Sequence, residues 1–304
     1  MLEIAIMIEG QNGLTWPRWQ NIVAAVDDLG FAGLYRSDHF TNAGPPDKES
    51  LELWVSLTWL ASHSKRIEFG PLVSPVSFRH PALTARMAAA VDDLSGGRLT
   101  LGLGAGWQER EHSLFGFDLL DMNARFDRFE EGLEVITSLL KSDKQVTFEG
   151  KYYQLRGATL LPAPLRPGGP RILIGGNGEK RTIPLAAKYA DEWNAVFLRP
   201  TELIRLNTSL DKVLLSNGRE PGSVKRSLMT GLRFGRTRKQ LDSKLSAQHN
   251  TGSGLRRRGF VVGVGQEIKD QLHAVEKTGV QRVMLQWLDL DDLISLEALA
   301  KVVL

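Results

Sequence analysis

The chain of 304 residues contains no cysteine. That excludes disulfides, thiolate metal sites and cysteine nucleophiles, and is compatible with a cytoplasmic protein. No stretch approaches the roughly 20 apolar residues of a membrane helix, and the N-terminus, MLEIAIMIEGQNG, lacks the basic start of a secretory signal. Metal-binding patterns are missing too. There is no His-x-His, no His-Glu-x-x-His and no dense acidic cluster, so no metal site is expected. The Gly-x-Ser-x-Gly elbow of a serine hydrolase is also absent. Lys and Arg number 38 against 35 Asp and Glu, a net charge of +3 that is too mild to point to nucleic acid.

What is present is an alternation of short apolar runs with longer stretches of helical period. Leu2–Ile8 reads as a strand buried on both faces, followed by a helix with Pro17 in its first turn and Gly30 at its end. Gly33–Arg36, Ile67–Ser74 and Arg98–Leu103 are the next strands, separated by helices over Leu51–Ser62 and Pro81–Leu94; Ala124–Lys141 is the helix after them. QVTFEGKYYQL and the irregular LPAPLRPGGP interrupt the rhythm near 144–170 with a predicted hairpin. Strands at Arg171–Ile174, Glu192–Val196, Val224–Phe234 and Arg282–Gln286 complete eight β/α repeats, with helices over Glu179–Tyr189, Glu202–Ser216, Gln266–Lys277 and Leu290–Val303. The fold class expected is a (β/α)₈ TIM barrel with insertions, formed by residues 1–304 as one domain. A doubly wound open sheet is the alternative, because periodicity does not show closure.

One segment is compositionally odd. Between Lys225 and Arg258 there are ten Lys or Arg and a single acid, Asp242, and the hydrophobic pattern over 235–258 is weak. A solvated excursion from the barrel and a basic lid over an anionic ligand are both open. Nucleic-acid binding is disfavoured, since no stacking aromatics interleave the charges.

A β/α barrel builds its active site at the C-terminal ends of its strands, which selects four places. Ser37-Asp38-His39 puts a proton-moving imidazole, with an acid beside it, after strand 2. Pro71 and Pro75 bracket the end of strand 3 and imply irregular backbone there. Gly104-Ala105-Gly106-Trp107 after strand 4 lets a flat ring approach the backbone, with Trp107 as a wall. Gly175-Gly176-Asn177-Gly178 after strand 5 opens into a helix and is a candidate phosphate cradle, although Glu179 is an awkward neighbour for an anion. At each place an ordinary loop histidine or tight turn is the competing explanation.

Together, GFAGLYRSDHF, LVSPVSFRHPALTARMAAAVDDLSGGRLTLGLGAGW, RFDRFEEGLEVI, FEGKYYQL, ILIGGNGEKRT and AAKYADEWN resemble the bacterial luciferase-like superfamily, in particular its coenzyme F420-dependent oxidoreductase branch. The C-terminal third matches more loosely. The resemblance implies a barrel with coenzyme F420, or alternatively FMN, across the strand C-termini. It also implies hydride transfer to or from a small-molecule substrate or, with FMN, oxygen activation as a monooxygenase. A flavin-binding protein without turnover is a further alternative. Asp38 and His39 would lie beside the reactive ring, with His39 as the proton-transfer group. Gly175, Gly176, Asn177 and Gly178 would hold the phosphate, and the basic residues of 225–258 the anionic tail. A non-proline cis peptide backing the ring would fall at Pro71–Leu72. Sugar-phosphate dehydrogenases of the branch carry a glutamate where this chain has Trp107, so that reaction is not expected. Relatives are often dimers, and the apolar Leu51–Leu60 helix with Trp54 and Trp59 could serve a homodimer or ordinary packing.

Overall fold

The computed structural model describes residues 1–304. Its strands are β1 (Glu3–Ile8), β2 (Gly33–Arg36), β3 (Glu68–Pro71), β4 (Ser74–Pro75), β5 (Thr100–Gly104), β6 (Val146–Glu149), β7 (Gln154–Ala158), β8 (Arg171–Gly175), β9 (Glu192–Val196), β10 (Lys225–Phe234), β11 (Val261–Gly263) and β12 (Arg282–Gln286). The helices are α1 (Trp16–Leu29), α2 (Leu53–His63), α3 (Pro81–Leu94), α4 (Glu109–Phe115), α5 (Met122–Lys141), α6 (Thr182–Tyr189), α7 (Pro200–Ser216), α8 (Arg238–Ala247), α9 (Gly252–Arg257), α10 (Gln266–Glu276) and α11 (Leu293–Val303).

Nine parallel strands fill eight barrel positions in the order β3-β2-β1-β12-β10-β9-β8-β5-β4, with β3 and β4 sharing one position. The seam is made by β5, which pairs with β4 and is reached by β3 through the Phe69–Leu99 bridge. Glycine permits this closeness. A Cβ on Gly70 would stand 1.9 Å from the Thr100 carbonyl oxygen, and one on Gly102 would stand 2.1 Å from that of Pro71. The expected barrel is therefore the observed fold, and the open sheet is not. The predicted hairpin is the antiparallel β6–β7 pair.

The main core lies between barrel and helices and includes Trp19, Phe69, Phe129 and Trp193. Helix α1 shows why the chain folds so locally. Its stripe of Trp19, Ile22, Val23 and Val26 is buried, Pro17 sits in the first turn, and Gly30 closes it at φ 97°. A second, smaller core of Ala5, Met7, Tyr35, Leu72, Leu173, Met229 and Met284 fills the barrel itself. Below it, at the N-terminal ends of the strands, Arg282 is 1% exposed. It donates to Glu3 (2.8 Å), Tyr35 (2.7 Å) and Glu192 (3.0 Å), and pairs also with Glu68. This ionic plug separates the barrel interior from solvent.

Two differences from the sequence reading concern the backbone. The strand read as Ile67–Ser74 is broken after Pro71. The non-proline cis peptide is at Leu72–Val73, one residue later than the Pro71–Leu72 bond expected. The basic stretch 235–258 is helical, because Leu241, Leu245 and Leu255 close with Val262 into a small core of their own. No helix is long and apolar enough to cross a membrane.

Candidate active site

A cavity of about 500 Å³ opens at the C-terminal ends of the strands. Its floor and walls are mostly apolar, drawn from Met7, Leu72, Val73, Trp107, Met122, Phe126, Phe197 and Met229. The charged side chains that line it are Glu9, His39, Glu111 and Arg125. This size and this mixture of apolar surface with a few convergent polar groups suit a cofactor site.

The four places selected from the sequence converge here unequally. His39, Leu72, Gly104, Ala105, Gly106, Trp107, Gly175 and Gly176 line the cavity; Asp38, Pro71, Asn177 and Gly178 do not. Asp38 is turned away. Its carboxylate accepts from Ser74 Oγ (2.7 Å) and from Arg79 (2.5 and 3.2 Å), and Arg79 is shared with Glu52 at 2.7 Å. Burial pushes the Asp38 carboxyl above the usual range, against the pull of Arg79 and Ser74. The acid beside His39 in sequence is therefore not the one that orients it.

That acid is Glu111, on α4. Its Oε1 lies 2.8 Å from His39 Nδ1, and its Oε2 accepts from the Phe40 amide at 2.9 Å. Trp107 meets the imidazole edge-on, with ring centroids 5.6 Å apart. Burial opposes a charge on His39, but Glu111, reinforced by Glu9 and Asp38, outweighs it and raises the imidazole above its ordinary pKa.

Two of the glycines also have a packing role. Val73, just after the cis bond, packs where side chains on its neighbours would be. A Cβ on Gly104 would lie 2.6 Å from Val73 Cγ2, and one on Gly175 3.0 Å from Val73 Cγ1. Gly104 and Gly175 thus make room for Val73 in the cavity floor. Gly104→Ala is expected to cost about 1–3 kcal/mol through overpacking, measured as a lowered denaturant midpoint. A neutral result would mean that Val73 can shift freely.

On the β8 side, Gly176 takes φ 128°, and Trp193 Nε1 donates to its carbonyl at 2.8 Å. Asn177 is occupied, pairing with both the carbonyl and the amide of Val196 at 2.8 and 2.9 Å. Helix α6 begins at Thr182, later than expected, and no backbone amide from Asn177 to Arg181 donates within the protein. Glu179 points to Arg205 (2.5 Å), which removes the objection to an anion here. Arg125 approaches from α5 with Nη1 3.3 Å from the Gly106 carbonyl, and its Nε is buried without a partner. Arg181 holds α5 against this loop by pairing with Asp127 at 2.5 Å and lying over Phe126. Glu111 and Arg125 were not read from the sequence. The only signal for them was position, near strand 4 and at the start of a strongly patterned helix.

A sequence profile described as luciferase-like monooxygenase matches residues 4–260. The chain belongs to that family. Among curated relatives, an F420-dependent glucose-6-phosphate dehydrogenase of Kineococcus radiotolerans is 29% identical over 68% of this chain and 61% of its own length. A phthiodiolone/phenolphthiodiolone dimycocerosates ketoreductase of Mycobacterium tuberculosis is 28% identical over 84% of this chain and 66% of its own length. The chain thus spans somewhat under two thirds of the length of these relatives. Among solved structures, an F420-dependent secondary alcohol dehydrogenase in complex with an F420–acetone adduct superposes with TM-score 0.85 at 18% identity, covering 99% of this chain and 98% of that one. A monooxygenase from Streptomyces bottropensis does so with TM-score 0.83 at 17% identity and the same coverage. At these identities the superpositions establish the shared fold.

Proposed function

We propose that this protein is an oxidoreductase that moves a hydride between a deazaflavin coenzyme, F420, and a small, largely apolar organic substrate. The observation that carries the reading is His39, turned into an apolar cavity at the strand ends by a buried carboxylate. The curated relatives add weight, since they include F420-dependent dehydrogenases and a ketoreductase.

The residues present fit such a coenzyme. The apolar floor at Leu72 and Val73 matches one face of a flat ring, and the free amides of Asn177–Arg181 with Arg125 match a phosphate. Gly175, Gly176, Asn177 and Gly178 shape that loop, with Asn177 fixing it to β9. Bound there, the deazaflavin supplies the hydride or accepts it. His39 Nε2 holds or takes up the coupled proton. The apolar wall excludes water from the reacting atoms. Trp107, 61% exposed at the lip, covers the ring edge of His39 rather than supplying an acid. For that reason a sugar phosphate is not the proposed substrate, despite the name of one relative.

Titration with F420 and separately with FMN, followed by ring fluorescence, tests the reading. Tight binding of F420 alone supports it, and tight binding of FMN alone moves the protein to oxygen-dependent chemistry. Binding of neither would overturn it, and binding without turnover on any substrate would leave a carrier. Arg125→Ala is expected to weaken the coenzyme by about tenfold or more, the worth of one charge-assisted hydrogen bond. Unchanged affinity would remove Arg125 from the cradle.

A further inference from the structure

The loop after β2 is clamped from below by a single side chain. Both carboxylate oxygens of Glu111 are used on consecutive residues of that loop, one on the His39 ring and one on the Phe40 amide. The Glu111 side chain is 1% exposed, whereas that of His39 is 19% exposed and faces the cavity. We infer that Glu111 is the positioning residue of the reaction, fixing the His39 ring through Nδ1 and the loop through the Phe40 amide, so that Nε2 is the nitrogen left to exchange a proton with a carbonyl or alcohol substrate. This rests on the function proposed above.

The chemistry follows from the donor and acceptor inventory. A carboxylate only accepts, so His39 Nδ1 carries a hydrogen in either charge state. Nε2 is then the nitrogen that gains or loses a proton, since Nδ1 is held by Glu111. The charges around the ring favour the protonated state. Glu111 comes from α4, Glu9 from the end of β1 and Asp38 from the segment after β2. Arg79 neutralises Asp38 in part and is itself shared with Glu52, while Arg125 stands on the cavity wall. In the reductive direction a reduced deazaflavin held there would supply the hydride, two electrons and one proton, to the substrate carbon and be oxidised. The carbonyl π bond would break, its oxygen taking the Nε2 proton of His39, while the coenzyme's ring proton leaves to solvent and solvent returns one to His39.

The test begins without coenzyme or substrate. In protein labelled with ¹⁵N-histidine, with the His39 signal identified by its loss in His39→Asn, the imidazole is expected to titrate above its ordinary value of 6.5 and to keep Nδ1–H throughout. In Glu111→Gln the single amide oxygen can accept from Nδ1–H or from the Phe40 amide but not both, and with the negative charge gone the midpoint moves to lower pH. With reduced F420 and a panel of simple ketones, the alkaline limb of turnover moves the same way in Glu111→Gln, and acidification restores most of the rate. A residue with a merely structural role would lower turnover equally at every pH. A neutral Nε2–H tautomer in the wild type, or a midpoint at or below 6.5, overturns the inference even if Glu111→Gln fails to fold. An unchanged midpoint in a folded Glu111→Gln does so too. None of these outcomes depends on coenzyme binding, so they are separable from failure of the proposed function.

Discussion

Turnover falls by about 10²–10⁴-fold when His39 is replaced by alanine, the usual worth of general acid–base assistance, while affinity for F420 changes only a few-fold. The separation is expected because the features assigned to binding are elsewhere. The proposed ring floor is Leu72 and Val73, and the proposed phosphate loop is Gly175–Thr182 with Arg125. Alanine has a second effect, since it leaves the buried Glu111 carboxylate without its ring partner. His39→Asn controls for this, because its amide can still donate toward Glu111 but has no proton to transfer. Equal losses in the two variants assign the effect to proton transfer, and recovery of turnover in His39→Asn would make it structural. Lost coenzyme affinity with intact turnover at saturation would end the proposed role of His39.

The largest stability loss is expected at the opposite end of the barrel. Arg282→Met removes the one cation that meets Glu3, Glu68 and Glu192 together. Burial works against the charge of Arg282, but Tyr35 and the three carboxylates overcome this and raise its pKa. Glu192 gains less from the arrangement. Burial dominates and pushes its carboxyl up, with Arg282 pulling the other way. Breaking a buried pair from one side typically costs about 3–5 kcal/mol, which is roughly 5–8 °C in Tm for a chain of this size. Adding Glu192→Gln to Arg282→Met should return part of the loss by removing the stranded charge. A loss below about 1 kcal/mol in the single variant would show that water enters the plug and solvates the carboxylates.

The barrel was legible because each repeat states itself locally. Pro81 and the turn at Gly96-Gly97 bound α3 at the residues read from the sequence, and Gly30 does the same for α1. Irregular backbone at the end of strand 3 was legible from Pro71 and Pro75, but the place of the cis bond was not, since Leu72 and Val73 continue an apolar run and nothing in their side chains marks the bond between them. The helices of 235–258 were hidden for a related reason. Their stripe is only Leu241, Leu245 and Leu255, and the core it joins is completed by Val262, outside the segment. At the site, His39 and the Gly175–Gly176 loop were visible as residue types at strand ends. Glu111 was not, because its role depends on meeting a residue 72 positions away. Sequence adjacency favoured Asp38, which the fold gives to Arg79 instead.

The double hydrogen bond between Asn177 and Val196 has a consequence for binding in the cavity. Val196 is followed directly by Phe197, which holds a left-handed conformation at φ 53° and stacks on Phe260, with ring centroids 5.1 Å apart. The loop proposed to meet the phosphate and the aromatic wall proposed to meet the substrate are therefore tied by the Asn177 side chain, in addition to the Trp193 bond to the Gly176 carbonyl. Whatever stiffens one stiffens the other, and the linkage is reciprocal. A coenzyme seated first would leave less disorder for the substrate to remove, and a substrate seated first would do the same for the coenzyme, so the two would bind with positive cooperativity in either order.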